Sequence, residues 1–337
     1  MATMKAARIT KAGGEFEYTD VPLPEPGPGQ VRIKVEACGI CHSDAFVQHG
    51  GWPGLTYPRI PGHEVAGRVD AVGEGVAARW KAGLRVGVGW HGGHCFTCDA
   101  CRGGDFLACS AAQICGISYD GGYAEYMVAP QEALALIPDA LDAADAAPLL
   151  CAGITTFNAL RNAGVKGGAT VAVVGIGGLG HLGLQYANHL GYRTVALSRG
   201  SDKEALAREL GAHVYIDTAA EDGAEALQKL GGADLVLVTA PNAAAMKSAF
   251  GGLKPRGKLL IVGAAFEPLE INPIELLSGK TVAGWPSGTP KASEETLDYS
   301  AVAGIKPMIE TFPLAEAGKA YARMMNNEAR FRVVLVP

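Results

Sequence analysis

The cysteines are the residues of this 337-residue chain whose types and spacing point most directly to chemistry. Four of the eight follow the spacing C-x2-C-x2-C-x7-C: Cys95, Cys98, Cys101 and Cys109. Four thiolates on one short loop can close a tetrahedron around a zinc ion. Such a zinc has no open coordination position, so we interpret this four-cysteine loop as a structural metal site and expect the catalytic residues elsewhere.

Two further segments and one remote cysteine offer other metal ligands. The segment CGICHSD (38–44) contains Cys41, the segment PGHEVAG (61–67) contains His63, and Cys151 lies far along the chain from both. One imidazole and two thiolates, with a fourth position open for substrate, are the layout of a catalytic zinc. The spacing alone does not bring these three together, and a lone histidine or cysteine in an apolar setting is more often part of a core.

A glycine-rich turn between a predicted strand and a predicted helix indicates a dinucleotide site. The segment VVGIGGLGHLG (173–183) carries the pattern GxGxxG, and its candidate binding residues are Gly175, Gly177, Gly178, Leu179 and Gly180. Glycines permit the tight turn and a close approach of the backbone to a pyrophosphate, and the helix N-terminus offers free N–H groups to it. The alternative is a glycine-rich turn with a structural role alone.

The end of the next predicted strand bears on the choice of dinucleotide. NAD sites usually place an acid there, which bonds the ribose hydroxyls, whereas this chain reads TVALSRGSDK, with Ser198 at that position and Arg199 beside it. Serine and arginine can bind a 2′-phosphate that a carboxylate would repel, which favours NADP(H). NAD remains the alternative if Arg199 is only a solvated surface charge, and Lys203 is close enough to hold the ribose in either case.

Composition excludes several classes of protein. The chain is 48% hydrophobic and 19% charged, with a net charge of −5 and no block of like charges, so neither a nucleic acid nor a membrane is expected as a partner. The first residues lack the apolar core of a signal peptide, and cysteines without such a signal favour metal sites in a reducing, cytoplasmic compartment. The uncharged stretch 167–192 contains many glycines and is interpreted as a soluble strand–turn–helix.

The elements that must position these residues change in character near residue 150. The first part contains β-like runs at 31–37, 64–72 and 84–90, with an extended, proline-rich connector at 21–30. The second part alternates strands with helices, which predicts right-handed β-α-β units and a parallel sheet. Its predicted strands lie at 169–174, 194–198, 213–217, 234–239 and 258–264, and its helices at 177–191, 202–211, 221–230 and 243–253. The tail 331–337 is predicted to be a final strand that returns to the first domain.

Together these motifs resemble those of the zinc-dependent medium-chain alcohol dehydrogenases, over essentially the whole chain. The matching segments are CGICHSD, GHEVAGRVDAVGEGV, the four-cysteine loop, CAGITTF (151–157) and GIGGLG, in that order. The resemblance implies an α/β fold with two domains. A GroES-like β-barrel catalytic domain is expected over 1–152 and 288–337, and a Rossmann cofactor-binding domain with a doubly wound parallel sheet over 153–287.

The resemblance also implies roles at individual positions. Cys41, His63 and Cys151 would hold a catalytic zinc, and the four-cysteine loop a structural one, giving two zinc ions per chain. The other implied roles are Asp44 and Glu64 as acids near the metal, Ser43 as the hydroxyl that takes the alcohol proton, His49 as the solvent end of that relay, His42 and Arg332 at the cofactor phosphates, Thr155 beside the nicotinamide, and Trp52 and Trp90 as pocket walls. Cys38 and Cys115 have no implied role and are expected to be free thiols.

The implied activity is hydride transfer between an alcohol, or its aldehyde or ketone, and a nicotinamide cofactor. A zinc polyol dehydrogenase is a second interpretation, although Trp52 and Trp90 favour apolar substrates. A nucleotide-binding protein without catalysis is a third interpretation. The residues that argue against it are the intact Cys41, His63, Cys151 and Ser43. Relatives in this family are dimers or tetramers, and the segment 281–288 is a candidate edge strand for pairing between two copies.

Overall fold

The computed structural model describes residues 2–337, which form two compact units. The first unit consists of the residues up to Cys151 together with Gly288–Pro337, and the second of Ala152–Ser287. The residues predicted as zinc ligands lie in the first unit, and the glycine-rich turn lies in the second.

The strands follow one another along the chain from Thr3 to Val336. They are β1 (Thr3–Arg8), β2 (Glu17–Pro22), β3 (Gln30–Ile40), β4 (Glu64–Val72), β5 (Arg85–Val88), β6 (His91–Gly93), β7 (Gln113–Ile114), β8 (Tyr126–Pro130), β9 (Leu134–Leu136), β10 (Thr170–Val174), β11 (Arg193–Ser198), β12 (Val214–Asp217), β13 (Ala233–Val238), β14 (Leu253–Ile261), β15 (Thr281–Gly284), β16 (Ile309–Pro313) and β17 (Arg332–Val336).

Helices occur in both units and alternate with strands in the second. They are α1 (Ala45–His49), α2 (Asp99–Arg102), α3 (Ala143–Pro148), α4 (Ile154–Arg161), α5 (Gly180–His189), α6 (Glu204–Glu209), α7 (Gly223–Lys229), α8 (Ala243–Gly251), α9 (Pro273–Leu276), α10 (Pro290–Ala303) and α11 (Ala317–Met325). Single 3-10 turns occupy His42–Asp44, Gln131–Ala133 and Leu314–Glu316, and a π-helical turn occupies Leu149–Gly153.

The first unit is built on a seven-stranded sheet with the order β16-β17-β3-β4-β5-β9, in which β8 also pairs with β3. β3 is antiparallel to β4, β8 and β17, so the long strand β3 lies at the centre. The last strand, β17, pairs with β3 through Val333 opposite Ile40. The prediction that the tail returns to the first domain is therefore confirmed.

The second unit is a six-stranded parallel sheet with the order β12-β11-β10-β13-β14-β15. Its central strand β10 is buried at every position, as expected for a parallel sheet covered by helices on both faces. Counted from β10, the strand order is 3-2-1-4-5-6, the order of the Rossmann dinucleotide-binding fold. This confirms the predicted parallel, doubly wound sheet.

Most predicted elements differ from the structure by a few residues in their bounds, and three of these differences have a clear structural reason. Val21 and Pro22, assigned to the extended connector, end strand β2, which pairs with β1 along its full length. The strand predicted at 258–264 is β14, which begins earlier, at Leu253. The register of its pairing with β13 shifts between Ala233 and Leu235, and β14 holds the extra residues at this irregularity. The helix predicted over 177–191 begins at Gly180, after the glycine turn.

A helical run from Ala143 to Arg161 has the length and apolar composition of a membrane span, and 78% of it is buried. It comprises α3, the π-helical turn and α4. Such burial is the behaviour of a core helix in a soluble protein. The stretch 167–192, which raised the same question in the sequence, forms β10, the glycine turn and α5.

Candidate active site

Strand pairing brings Cys41 and His63 to the same end of the first unit's sheet. Cys41 directly follows β3, and His63 directly precedes β4. β3 and β4 are antiparallel, with Gly39 opposite Glu64. A Cβ atom on Gly39 would lie 1.9 Å from Oε2 of Glu64, so only glycine leaves room for that carboxylate. The two candidate ligands are thus brought together by register rather than by closeness in sequence.

The π-helical turn after α3 brings Cys151 to the same place. Its sulfur lies 3.8 Å from that of Cys41. The candidate ligand atoms of Cys41, His63, Glu64 and Cys151 all lie within 4.8 Å of one another. π-helical turns are rare and occur frequently at functional sites, which suits the place of Cys151 in one.

The histidine of this set has the orientation that a metal ligand needs. Nδ1 of His63 lies 3.2 Å from Oδ1 of Asp44. Because a carboxylate only accepts, Nδ1 carries a proton, and Nε2 is the ring nitrogen left for a metal. Nε2 is buried and has no hydrogen-bond partner among residues 2–337. An orphaned imidazole nitrogen beside two sulfurs fits a zinc ion.

The sulfurs of Cys41 and Cys151 are close enough for one to hydrogen-bond to the other. The contact with Cys151 lowers the pKa of Cys41 well below its ordinary value. The same contact raises the pKa of Cys151, because a second thiolate would lie beside the first in a buried site. A divalent cation bound by both sulfurs would offset the repulsion between the two thiolates.

A buried ion pair lies beside the candidate ligands. Arg332 begins β17, and its guanidinium donates to the carboxylate of Glu64 and, at 3.1 Å, to the carbonyl oxygen of Ile40. Burial raises the pKa of Glu64 to about 7, although Arg332 opposes this. Oε2 of Glu64 has no hydrogen-bond partner among the described residues. The sequence did not predict this pairing, and the role of Arg332 at the cofactor phosphates stays a prediction.

Asp44 is the hydrogen-bond centre of the site. Besides His63, its carboxylate accepts from the Cys41 backbone N–H at 2.9 Å and from the Tyr123 hydroxyl at 2.7 Å. The sequence identified Asp44 as an acid near the metal but gave no indication of Tyr123, which lies 79 positions away.

Aromatic rings extend outward from the histidine. The ring centroids of His63 and Trp90 lie 4.9 Å apart, those of Trp90 and Trp52 lie 5.7 Å apart, and those of Trp52 and Phe46 lie 5.3 Å apart, all close to edge-on. Trp52 and Trp90, predicted as pocket walls, are therefore adjacent to each other, and Trp90 is adjacent to a candidate ligand. Phe46 extends the same apolar surface and was not predicted.

The polar residues of the predicted proton relay lie in the 3-10 turn and helix that follow Cys41. Ser43 is half-buried within the turn His42–Asp44, and His42 is exposed. His49 is exposed at the last position of α1. The proton relay through Ser43 and His49 stays a prediction.

The four-cysteine loop brings its sulfurs together within one short segment. The sulfurs of Cys95 and Cys109 lie 3.6 Å apart, and the candidate ligand atoms of all four residues lie within 4.8 Å. The backbone N–H of Cys98 donates to the Cys95 sulfur at 3.4 Å. The Thr97 hydroxyl and such N–H groups lower the pKa of Cys95 to about 5. A set of four sulfurs of this kind fits a closed zinc site.

The glycine turn of the second unit has the shape of a phosphate cradle. Gly175 has a φ of +91°, which favours glycine. A Cβ atom on Gly180 would lie 1.8 Å from the carbonyl oxygen of Gly175, so the first turn of α5 could not follow β10 this closely with another residue. A Cβ atom on Gly177 would meet nothing within 4 Å, which leaves open space beside this residue. The cofactor contacts of Gly178 and Leu179 stay predictions.

The end of β11 presents the residues that bear on cofactor choice. Ser198 is its last residue and is half-buried, Arg199 is exposed, and Lys203 is half-buried directly before α6. Asp217, opposite Ser198 on β12, accepts a hydrogen bond from the Gly200 N–H at 2.7 Å. Thr155 is buried in α4 of the same unit. The cofactor contacts of Ser198, Arg199, Lys203 and Thr155 stay predictions.

Cys38 and Cys115 are buried cysteines outside both ligand sets. Neither forms a disulfide, and each thiol lies near a backbone carbonyl, that of Gly39 and that of Gly62 respectively. They are therefore free thiols in the structure, as expected from the sequence.

Comparison with known proteins identifies the family. Residues 27–139 match the alcohol dehydrogenase GroES-like domain, and residues 178–301 match the zinc-binding dehydrogenase domain. The alcohol dehydrogenase patD of Penicillium expansum is 48% identical over 335 residues, covering 99% of this chain and 98% of its own. The chain therefore belongs to the zinc-dependent medium-chain alcohol dehydrogenase family, and it is an oxidoreductase.

Solved structures of the same fold have been obtained with either dinucleotide. One is a protein of Sinorhizobium meliloti 1021 that is described as a zinc-binding dehydrogenase and is bound to NADP. It is 31% identical to this chain, with a TM-score of 0.90, and the match covers 100% of both chains. An acetophenone reductase from Geotrichum candidum in complex with NAD is 27% identical, with a TM-score of 0.86 over 99% of this chain and 97% of its own. The predicted GroES-like and Rossmann fold class is confirmed.

Proposed function

We propose that this enzyme is a zinc-dependent alcohol dehydrogenase or aldehyde reductase that uses NADP(H) in preference to NAD(H). The observation that carries the proposal is the buried, unpartnered Nε2 of His63 beside the sulfurs of Cys41 and Cys151, within the part of the chain that the structure describes. These three residues would hold the catalytic zinc, and the four-cysteine loop a second, structural zinc. When bound, the catalytic metal supplies Lewis acidity to the oxygen of an alcohol or carbonyl substrate.

The chain's own residues would orient the substrate and move the proton. Asp44 holds the His63 ring through Nδ1, so that Nε2 points to the ligand position. The hydroxyl of Ser43 would accept the alcohol proton, and His49, an exposed imidazole, is suited to exchange that proton with water. Trp52, Trp90 and Phe46 give the pocket an apolar wall, which supports small apolar alcohols and aldehydes rather than polyols.

The cofactor would lie on the second unit's glycine turn. The open space beside Gly177 and the N-terminus of α5 would receive the pyrophosphate. Ser198 and Arg199 would receive a 2′-phosphate. The nearby carboxylate of Asp217 already accepts from the backbone N–H groups of Gly200 and Ala219, at 2.7 Å and 2.8 Å, which supports a structural role for it rather than a ribose contact.

The proposed assembly and compartment rest on the edge strand β15 and on the cysteines. The edge strand would pair two copies into a homodimer, and two such dimers would form the alternative tetramer. All eight cysteines are free thiols, which suits a reducing compartment, and we place the enzyme in the cytoplasm.

Zinc content and turnover test the proposal together. Elemental analysis of the purified enzyme should give about two zinc ions per chain, and a panel of alcohols and aldehydes should be turned over with NADP(H). Cys41→Ala should lose one zinc and essentially all turnover. Cys38→Ala is the matched control, because it removes a buried thiol of the same strand end that belongs to neither ligand set. A Cys41→Ala enzyme with full zinc content and turnover would refute the proposed catalytic site.

A further inference from the structure

The buried carboxylate of Asp44 connects two of the candidate zinc ligands. Its Oδ1 lies 3.2 Å from Nδ1 of His63, and its Oδ2 accepts from the backbone N–H of Cys41 at 2.9 Å. The Asp44 side chain is 2% exposed, so solvent does not hold it in place. The direction of the imidazole and the position of the Cys41 backbone therefore both depend on where this carboxylate lies.

The Tyr123 hydroxyl is a third donor to this carboxylate and belongs to neither ligand segment. It donates to Oδ2 of Asp44 at 2.7 Å, and Tyr123 is fully buried. A short hydrogen bond to a charged acceptor contributes more than one between neutral groups, and most in a buried site. Burial, and then the Asp44 charge, raises the pKa of Tyr123 well above its ordinary value, so the hydroxyl keeps its proton and always donates.

The ring of Tyr123 is itself fixed against the segment that carries His63. The Tyr123 N–H donates to the Pro61 carbonyl at 3.0 Å, and the Gly122 N–H donates to that of Gly62 at 3.0 Å. A Cβ atom on Gly62 would lie 2.4 Å from Cδ1 of the Tyr123 ring, so the ring packs directly on the residue before His63. The hydroxyl is therefore presented to Asp44 from a rigid support.

From this arrangement we infer that Tyr123 is a positioning residue for the metal: through Asp44, its hydroxyl holds His63 and Cys41 in the geometry that binds zinc. The inference rests on the proposed zinc site at Cys41, His63 and Cys151. Removing the hydroxyl leaves Asp44 with one donor fewer and free to shift, which should loosen both ligands at once. The four-cysteine loop shares none of these contacts and should be unaffected.

Zinc release from Tyr123→Phe tests the inference against two matched controls. Tyr119→Phe also removes a tyrosine hydroxyl hydrogen bond, the part-buried one of 2.9 Å to the Gly92 carbonyl, but does not involve Asp44. Tyr321→Phe removes a buried hydroxyl that has no hydrogen-bond partner within residues 2–337. The time course of zinc release to a chelating indicator should contain a kinetic phase from the catalytic site, which the Cys41→Ala variant lacks. That phase should be about tenfold faster in Tyr123→Phe, since partners that orient metal ligands contribute roughly 10–100-fold to affinity. Both controls should match the unmodified enzyme.

Two further measurements separate positioning from general stability. In enzyme loaded with Co²⁺ in place of zinc, the visible absorption should change in Tyr123→Phe and not in the controls. In an Asp44→Asn background, Tyr123→Phe should no longer accelerate release, because its partner is already altered.

Equal acceleration in both backgrounds, or a Tyr123→Phe enzyme that behaves as the controls do, would overturn the inference. If the unmodified enzyme lacks the phase that depends on Cys41, the proposed metal site fails and this inference with it, whereas a loaded site that is insensitive to Tyr123→Phe rejects the inference alone.

Discussion

Ser43 is the residue on which the proposed proton relay depends. Its hydroxyl is half-buried in the turn between Cys41 and Asp44, where it is close along the chain to a candidate ligand yet belongs to neither ligand set. Ser43→Ala should lower kcat for alcohol oxidation by roughly 10²–10⁴-fold, the usual contribution of a positioned acid–base group. Ser43→Thr keeps a hydroxyl and should retain most of the turnover.

The measurement is steady-state turnover with a deuterated alcohol, which shows whether hydride transfer limits the rate. His49→Gln should have a smaller effect and should alter the pH dependence of kcat, because His49 is exposed at the end of α1, where water can replace it. Nearly full turnover in Ser43→Ala, with hydride transfer limiting, would contradict the assigned relay.

Ser198 and Arg199 decide the choice of cofactor in our proposal. Arg199 is exposed at the end of β11 and can form charge-assisted hydrogen bonds to a 2′-phosphate, each of which contributes roughly 1.5–3 kcal/mol. A preference for NADP(H) of about ten- to a hundredfold in kcat/KM follows, at about 1.4 kcal/mol per factor of ten. Arg199→Ala should reduce this preference and leave NAD(H) use almost unchanged.

Ser198→Asp tests the same site in the opposite direction. A carboxylate there would repel the 2′-phosphate and bond the ribose hydroxyls, so the preference should turn toward NAD(H). Arg193→Ala is the control, because it removes an exposed charge from the opposite end of the same strand, β11. A native preference for NAD(H) that Arg199→Ala leaves unchanged would mean that Arg199 is only a solvated charge.

The ligand types could be predicted from the sequence, but their supporting contacts could not. Cysteines and a histidine in recognisable motifs indicate a metal whatever the fold. Tyr123 has no such signal, because its role depends on a single hydroxyl meeting a carboxylate 79 positions away in the chain. Arg332 is predicted at the cofactor phosphates through the family resemblance, yet the partner that the structure gives it is Glu64, which only the pairing of β17 with β3 brings close.

At the scale of elements, the four-cysteine loop is the clearest case of local structure that depends on a metal. The sulfurs converge at one end of α2, a helix of four residues that has little stability of its own. The free energy of binding a structural zinc is also folding free energy. Cys98→Ala should therefore lower the melting temperature by at least about 5 °C, at roughly 2–4 °C per kcal/mol.

Calorimetry of the zinc-loaded enzyme gives the melting temperature, and turnover per folded molecule at low temperature should be largely kept. Arg102→Ala is the control, because it changes an exposed residue of the same helix without touching a sulfur. A Cys98→Ala enzyme with an unchanged melting temperature and full zinc content would show that the loop holds no structural metal.

The order of elements in the second unit could be predicted because strands and helices alternate with clear turn signals. Element ends were less predictable, since they depend on pairing. β2 extends to Pro22 because β1 offers a partner as far as Thr3. The π-helical turn at Cys151 has no sequence signal. It differs from the surrounding α-helix only in that its backbone hydrogen bonds span one more residue, and the whole run is apolar.

At the scale of the whole molecule, one group of exposed apolar residues lies close along the chain to a strand at the edge of a sheet. β15 is the last strand of the six-stranded sheet, and the exposed apolar residues along the chain here are Phe266, Ile274, Leu276, Leu277 and Val282. Phe266 is 86% exposed and Leu277 80% exposed. A sheet edge with free N–H and C=O groups beside exposed apolar side chains is a template for another strand.

We propose that the occupant of this edge is a second copy of the same strand. Two copies of β15 related by a twofold axis would pair antiparallel, joining two six-stranded sheets, and would cover the apolar residues of both chains. Val282→Lys should weaken this dimer by on the order of 100-fold or more in Kd, since an unpaired charge buried at an interface costs several kcal/mol. Sedimentation velocity over a range of concentrations measures the change.

Val302→Lys is the control, because Val302 is 90% exposed on α10 and equally apolar but lies on no strand edge. Dissociation in Val302→Lys to the same extent, or a Val282→Lys enzyme that keeps the native mass at nanomolar concentration, would place the interface elsewhere.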